Sequence, residues 1–293
     1  MIRPERETNQ AYYGHPDVVR EYASLDFLLD AERSVLAELG PDLPRFRMLD
    51  LGVGGGRTTV HFAERVKEYV GLDPSAAMIE ACARRFNDLL GPRVSFVVGD
   101  ARDLSAFAAN SFDLVLFAAK GLDSLGHEDR IRALREIHRT LAPGGIFVFS
   151  TDNLLWVRKT ISVWRSVYKM IATRRLAVVR HPGLLARAVL RAMYLRRVNG
   201  PLRAEQAAYT YLRRRRELSR QGYADPDRLI AIDGYAIEPR AQVAQLAAAG
   251  FEGVRVLADA EEVTTEDPDR LELYYWLYYR CHKGREERSV PPE

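Results

Sequence analysis

The sequence predicts an α/β protein in which helices cover both faces of a mostly parallel sheet. Three observations support this fold class. Apolar runs alternate with helical patterns from Phe46 to Thr151, as in sheets whose parallel strands are joined by helices. A glycine-rich turn follows the first apolar run, and carboxylates end the next two. The composition, 47% hydrophobic and 28% charged over 293 residues, is typical of a chain that buries a sizeable core.

Composition also excludes several classes of protein. No apolar run approaches the roughly 18 residues of a membrane-spanning helix, and the segment from Met1 to Thr8 has no apolar signal core. Cys82 and Cys281 provide neither a disulfide framework nor a metal-ligand set, so we predict no metal site. These features predict a cytoplasmic protein. The charged, proline-ended tail at 284–293 is predicted to be disordered.

The first two predicted units are a helical cap and an α/β core. Residues 1–45 form the cap, whose helix runs from Asp17 to Gly40 and ends at Pro41. Residues 46–151 form the core, and its five strands follow apolar runs at 46–51, 69–72, 94–101, 112–119 and 146–151. Its helices are expected at about 57–66, 75–90 and 128–141.

Residues 152–222 interrupt this alternation with a basic segment. Its apolar residues recur at helical spacing and Arg213 to Arg216 would place charge all round a helix, so we predict a helical insertion. Residues 223–283 then complete the core. They include a helix at about 239–249, a strand at Val254 to Leu257 and a last strand from Leu271 to Cys281.

The turn after the first strand points to a nucleoside ligand. Asp50 begins a segment with glycine at Gly52, Gly54 and Gly56, and Asp73 follows Gly52 by 21 positions at the end of the second strand. Glycines let the backbone turn tightly and approach a ligand closely. A carboxylate about 20 residues later accepts hydrogen bonds from a ribose in nucleotide-binding units of this layout.

The spacing of the glycines separates two kinds of cofactor. Dinucleotide binders have Gly-x-Gly-x-x-Gly, which would need glycine where Arg57 stands. The segment instead resembles the first motif of the class I S-adenosylmethionine-dependent methyltransferases. Residues 94–101, 112–119 and 141–145 resemble later motifs of that family in order and spacing. The resemblance covers 12–151 and 232–283. It implies a Rossmann-like, seven-stranded sheet whose last, antiparallel strand lies between the fifth and sixth, with 152–222 as a lid.

The resemblance assigns the donor-binding roles. The three glycines would wrap the amino-acid end of S-adenosylmethionine, while Asp50 orders the turn or reaches the ammonium through water. Asp73 would accept from the ribose diol; its alternative role is to cap the helix beginning near Ser75.

Four further residues are assigned to the adenine. Asp100 would accept from the adenine amino group and the backbone N–H of Ala101 would donate to the ring, although Asp100 can instead cap a turn. Met78 and Phe117 would flank the adenine, or belong to the core.

Methyl transfer needs a general base only when the acceptor is a hydroxyl, an acidic carbon or a protonated amine. The candidates are His127, after the fourth strand, and Tyr12, Tyr13 and His15 near the N-terminus. Of these, His127 and Tyr13 are assigned to catalysis and Tyr12 to substrate binding. Tyr12 and Tyr13 resemble the N-terminal aromatics with which some family members close the cofactor pocket. Lys120 departs from the Asn-Gly that relatives often show after the fourth strand; it would attract an anionic substrate or pair with Asp123. Tyr235 would line the acceptor pocket or mark a helix start.

The charge of the insertion leaves four explanations open. Residues 152–222 hold 17 Lys and Arg against three acids, a charge of +14, which leaves −11 on the remainder of a chain whose total is +3. The segment can cap the active site over an anionic small molecule, bind nucleic acid, or lie on an anionic membrane. Its arginines can also pair with the acidic body or with a second subunit of a homodimer. No recognised module supports nucleic acid.

The sequence therefore predicts an S-adenosylmethionine-dependent methyltransferase that acts on a small, anionic metabolite, of the kind made in specialised biosynthesis. One alternative is an RNA or membrane-lipid methyltransferase that uses residues 152–222. Another is a non-catalytic protein that binds the cofactor only to order its lid. A nicotinamide oxidoreductase is disfavoured by Arg57.

Overall fold

The N-terminal cap contains three helices. A computed structural model describes residues 6–161, 208–217 and 229–285. Helices α1 (Arg6–Tyr13), α2 (Pro16–Ala23) and α3 (Asp30–Leu39) precede the sheet. The prediction of one helix from Asp17 to Gly40 is wrong, because the Ser24 hydroxyl donates to the Glu21 carbonyl and ends α2. A new helix starts when the Leu29 N–H donates to the Glu32 carboxylate.

Five parallel strands and their helices follow in the predicted order. The strands are β1 (Arg47–Leu51), β2 (Glu68–Asp73), β3 (Val94–Val98), β4 (Phe112–Phe117) and β5 (Leu141–Asn153). Between them lie α4 (Thr59–Phe62), α5 (Ala76–Arg85) and α6 (His127–Thr140). Helix α4 is shorter than the predicted 57–66, since Arg57 and Thr58 precede it. The Arg57 side chain bonds to Glu32 of α3, and the Thr58 hydroxyl donates to Asp50 of β1.

The seven core strands have the predicted topology. After the core come α7 (Leu154–Ile161), β6 (Tyr209–Glu217), β7 (Leu229–Ile237), α8 (Pro239–Ala248), β8 (Phe251–Ala258), β9 (Glu261–Val263), α9 (Pro268–Leu271) and β10 (Trp276–Lys283). The described strands form a sheet of order β3-β2-β1-β4-β5-β10-β8-β9. Strand β10 is antiparallel to both β5 and β8, which confirms an antiparallel last strand between the fifth and sixth. It begins later than predicted because Asp267 caps α9 before it.

The basic segment is not helical throughout. Helix α7 follows β5 directly, but Arg213 to Arg216 lie in β6, where they pair with residues 230–233 of β7. The helical prediction for this run is therefore wrong: backbone pairing with β7 prevails, in a strand that starts with the β-favouring Tyr209-Thr210-Tyr211. Strand β7 also pairs with the end of β5. The helical stripes predicted between 162 and 207 lie outside the described residues, as does most of the 284–293 tail.

Two buried clusters cover the two faces of the sheet. Along β4, Val115 and Phe117 face a cluster that includes α6, whereas Leu114 and Leu116 face a cluster that includes α3. This burial on both faces is typical of a parallel sheet. Helix α1 packs against β7 and α2 against α5, so the cap and the β6–β7 hairpin lie near the carboxyl ends of the core strands. No helix in the described ranges combines the length and apolar character needed to cross a bilayer.

Candidate functional site

The glycine turn has the backbone that the motif predicts. Gly52, Gly54 and Gly56 have φ values of +64°, +55° and +84°, a region that favours glycine. The Gly54 N–H donates to Oδ2 of Asp73 over 3.0 Å. A Cβ added at Gly52 would come within 3.1 Å of the Phe117 ring. The turn therefore presents backbone atoms without side chains at the carboxyl ends of β1 and β2.

Asp50 lies beneath this turn and is buried, with 1% of its surface exposed. Its Oδ2 accepts hydrogen bonds from the Thr58 hydroxyl at 2.5 Å and the Tyr69 hydroxyl at 2.7 Å. Burial raises the pKa of Asp50 to about 6, against the opposing effect of these hydrogen bonds. Of the two roles open to Asp50, these contacts are those of a residue that orders the turn.

Asp73 joins the turn to the following helix. Its Oδ1 accepts the Ser75 N–H at 2.9 Å, and α5 itself is capped by the Ser75 side chain. Burial raises the pKa of Asp73, and its two backbone hydrogen bonds oppose that effect. An ionised carboxylate has about four acceptor positions. Asp73 therefore keeps acceptor capacity for a ribose diol, and the turn with this carboxylate fits S-adenosylmethionine.

Each residue expected around the adenine has contacts within the protein. Asp100 forms an ion pair with Arg102 at 2.6 Å, and Arg102 reaches on to Asp129. Met78 is buried in a cluster with Tyr12 under the cap. Phe117 instead lies against Gly52 and Gly121. Ala101 is buried after β3.

The N-terminal tyrosines lie beside the donor side of the site. Tyr12 is buried, and its ring meets Tyr13 edge-on at 5.1 Å. The Tyr13 carbonyl accepts the Ser75 hydroxyl at 3.4 Å, two residues from Asp73. Tyr22, which the sequence did not indicate as a site residue, lies 3.5 Å from a Cβ added at Gly54. Nothing in the local spacing around Tyr22 indicates this position.

Lys120 has a different partner from the one considered above. Its Nζ lies 3.3 Å from Oδ1 of Asp152, not beside Asp123, and above the rings of Tyr275 and Trp276 at 4.6 and 5.2 Å. The backbone here is left-handed at two successive residues, Ala119 at φ +50° and Lys120 at +64°. The positive charge of Lys120 is therefore compensated within the protein.

Asp123 belongs to a buried network. It pairs with the fully buried Arg130 at 2.8 Å and accepts from the Thr151 hydroxyl. Arg130 also donates to Gln242 and Gln245. Burial raises the pKa of Asp123 and the Arg130 guanidinium opposes that shift. The network ties the segment after β4 to β5, α6 and α8.

His127 is held by aromatic residues of the hairpin. Its Nδ1 lies 2.8 Å from the Tyr235 hydroxyl, and its ring stacks on Tyr209 at 4.1 Å with an interplanar angle of 8°. Its backbone N–H donates to the Tyr211 hydroxyl at 2.9 Å. Tyr235 is fully buried, so it contacts His127 from the protein interior. The sequence indicates His127 and Tyr235 separately and carries no local signal for Tyr209 and Tyr211.

The first cations of the basic segment pair with the acidic body. Arg158 forms an ion pair with Glu238 of the β7–α8 junction, and Lys159 pairs with Glu272 at 2.9 Å. For these two residues, the structure matches the explanation in which the segment's charge is neutralised by the body.

The chain is similar to known methyltransferases over part of its length. Residues 48–145 match the model of a methyltransferase domain family. Demethylmenaquinone methyltransferase of Renibacterium salmoninarum is 30% identical over 163 residues, or 56% of this chain and 63% of that protein. The tRNA 5-carboxymethoxyuridine methyltransferase of Escherichia coli K12 is 33% identical over 114 residues, or 38% and 41% of the two chains. The chain spans between 46% and 63% of the length of the first curated relatives that it matches.

A solved structure is similar in fold over a larger share of the chain. The DhpI–SAM–HEP complex matches 96% of this chain and 99% of its own, with a TM-score of 0.56 at 17% identity. Residues 48–145 are thus similar to a methyltransferase domain, and the fold of the chain is similar to that of a protein solved in complex with SAM.

Proposed function

We propose that this protein is an enzyme that methylates a small molecule. The observation that carries the proposal is the position of two groups of residues. The Gly52–Gly56 turn with Asp73 follows β1 and β2, and His127 follows β4. Parallel strands present their carboxyl ends at one edge of a sheet, where ligands bind in such folds. S-adenosylmethionine, when bound, supplies an activated methyl group.

The chain's own residues hold the donor and exclude water. The glycine turn accommodates the amino-acid end, Asp73 accepts from the ribose, and Tyr12 and Tyr13 cover that side of the site. Holding the two reactants in line and away from water supplies much of the acceleration of such a transfer. Asp100 would have to share its carboxylate between the adenine and Arg102.

We propose His127 as the general base, so that the acceptor is a group that loses a proton on methylation. Burial lowers the pKa of His127, which favours the neutral imidazole at pH 7. An anionic acceptor, expected from Lys120, has less support because Asp152 compensates that charge. Tyr13 is the second candidate base.

Relatives support two classes of acceptor. The name of the Renibacterium relative specifies a quinone-type small molecule, whereas that of the Escherichia relative specifies tRNA. RNA is therefore the second candidate acceptor, favoured by the +14 charge of residues 152–222.

Calorimetry with S-adenosylmethionine and its demethylated product tests donor binding. We expect the unmodified protein to bind both, and Asp73→Ala to lose about 10- to 100-fold in affinity, because hydrogen bonds to a charged group contribute about 1.5–3 kcal/mol. Asp269→Ala, an exposed carboxylate on α9, is the matched control and should bind normally. Absence of binding, or undiminished binding by Asp73→Ala, would overturn the donor site. Transfer of labelled methyl to a panel of small acceptors and to RNA then distinguishes the two acceptor classes.

A further inference from the structure

We propose that Tyr235 is the positioning residue of His127, and that the β6–β7 hairpin thereby completes the catalytic site. In this arrangement the Nδ1–H of His127 donates to the phenol oxygen of Tyr235, which leaves the lone pair on Nε2 for the acceptor. The inference rests on the proposed function of His127 as the base. It goes beyond that function because it assigns the orientation of the imidazole to a residue 108 positions away in the sequence.

The hairpin constrains His127 in three independent ways. Tyr235 bonds to Nδ1, Tyr209 stacks on one face of the ring, and Tyr211 accepts the backbone N–H. The last contact also satisfies one of the N–H groups that the start of α6 leaves without an intrahelical partner. Both the ring plane and the backbone of His127 are therefore set by residues of β6 and β7.

Tyr235 is itself held rigidly. Its ring is fully buried and packs between the ring of Tyr209 at 5.1 Å and the guanidinium of Arg130, whose Cζ lies 4.8 Å from the ring centroid. Arg130 in turn is fixed by Asp123 and Gln242. A phenol that cannot rotate away provides a constant partner for one ring nitrogen, and such a hydrogen bond selects the tautomer of a histidine.

The charged and titratable groups around the imidazole are consistent with a base. Burial and the Arg130 guanidinium lower the pKa of His127, and Glu128 opposes them. Among the described residues, Tyr209, Tyr211 and Tyr235 are further ionisable neighbours. Burial raises the pKa of Tyr235 well above its usual value, so the phenol stays protonated. Within the described residues, no group hydrogen-bonds to Nε2.

The proton balance follows from this geometry. As the acceptor atom forms its bond to the methyl carbon, its X–H bond breaks toward Nε2, and the electron pair of the C–S bond stays on sulfur. The imidazolium formed then carries the positive charge that the sulfonium loses. Its Nδ1–H remains bonded to Tyr235, so the ring does not reorient during the transfer.

NMR of protein labelled with ¹⁵N-histidine tests the proposal without an acceptor. Long-range ¹H–¹⁵N spectra across a pH series report the tautomer of each imidazole, and His127→Gln assigns the signal. We expect the Nδ1–H tautomer in the unmodified protein and a shift toward Nε2–H in Tyr235→Phe. Tyr274→Phe, a partly buried tyrosine outside this cluster, should leave the signal unchanged. An Nε2–H tautomer in the unmodified protein, or a tautomer indifferent to Tyr235→Phe, would refute it.

A kinetic experiment separates this inference from the proposed function. Once an acceptor is turned over, Tyr235→Phe should reduce kcat/KM by about tenfold or more, the scale of a general-base contribution, while calorimetric affinity for S-adenosylmethionine stays unchanged. An unaltered kcat/KM with normal donor binding would overturn the positioning role but not the methyltransferase activity. Absent donor binding would instead contradict the proposed function.

Discussion

Asp50 shows how a single residue can serve the site without facing a ligand. Its carboxylate is enclosed under the glycine turn, where the hydroxyls of Thr58 and Tyr69 replace water. Hydrogen bonds favour the ionised form and burial disfavours it; burial has the larger effect, so the pKa rises to about 6. At neutral pH, the ionised and buried carboxylate of Asp50 therefore lowers the free energy of unfolding.

The pH dependence of stability tests this effect. Between the ordinary pKa of 3.8 and about 6, the native protein binds more protons at Asp50 than the unfolded chain does. Protonation of Asp50 therefore stabilises the native protein below pH 4, and this stabilisation is lost as the pH rises to 6. It amounts to about 3 kcal/mol in the free energy of unfolding. Urea unfolding at pH 4 to 7 measures the free energy of unfolding of the wild type and of Asp50→Asn. As the pH rises, the wild type should become less stable relative to the variant. A constant difference across that range would contradict the expectation.

The environment of the Lys120 ammonium is set by residues that are distant in the sequence. Its position after β4 suggested an anionic substrate, yet Asp152 and two aromatic rings of the segment around β10 surround its ammonium. The sequence places the lysine at the active edge of the sheet. It does not show which carboxylate is close enough to compensate the charge.

At the scale of elements, the contact between α2 and the glycine turn joins the cap to the cofactor site. A Cβ added at Gly55 would overlap the backbone of Tyr22 and Ala23 at the end of α2. Backbone atoms cannot move aside as a side chain does, so only glycine allows α2 to pack this closely on the turn. Glycine is needed at position 55 for this contact and not for an unusual φ. The cap and the turn are expected to move together.

Gly55→Ala should therefore displace α2 and weaken the cap. We expect a loss of about 1–3 kcal/mol in stability, as for other overpacking substitutions, and faster proteolysis of the segment around Ser24. Gly91→Ala is the matched control, because a Cβ at Gly91 meets nothing within 4 Å. Urea unfolding and limited proteolysis of both variants provide the measurement. Equal behaviour of the two would show that the cap is not seated on the turn.

At the scale of the whole molecule, charge is distributed unevenly along the chain. The basic segment carries +14 and the remainder −11, and the described part of the segment pairs Arg158 with Glu238 and Lys159 with Glu272. Internal pairing of this kind leaves fewer cations for an external polyanion. For Arg158 and Lys159, the two cations whose pairs are described, the observed role is attachment to the body.

Binding to RNA and to anionic vesicles across a salt series tests this distribution. We expect weak binding at 20 mM NaCl that disappears by about 150 mM, because few phosphates would be neutralised. A double variant, Glu238→Gln with Glu272→Gln, releases two cations and should bind more strongly. Binding of the wild type to RNA that is still detectable at about 150 mM NaCl, with an affinity that falls steeply as salt is added, would instead favour the RNA acceptor.

Much of the fold and the donor side of the site could be predicted from the sequence, because the signals are local. Apolar runs and helical spacing define the core strands and most helices, and Gly52, Gly54 and Gly56 occupy the positive-φ positions that their spacing indicated. Asp73 ends β2, as its distance from the turn indicated. The run Arg213 to Arg216 was the clearest failure, since strand pairing with β7 decides its conformation.

The sequence by itself determined the order of the strands along the chain, the glycine turn and the similarity to a methyltransferase domain, since these depend on residues close together in the chain. Only the tertiary structure decided which side chains meet. Tyr235 reaches His127, and Asp152 reaches Lys120, because strands and helices far apart in sequence end at the same edge of the sheet. Such partners carry no local signal: hydrogen bonds and ion pairs depend on distance in space, and folding sets that distance.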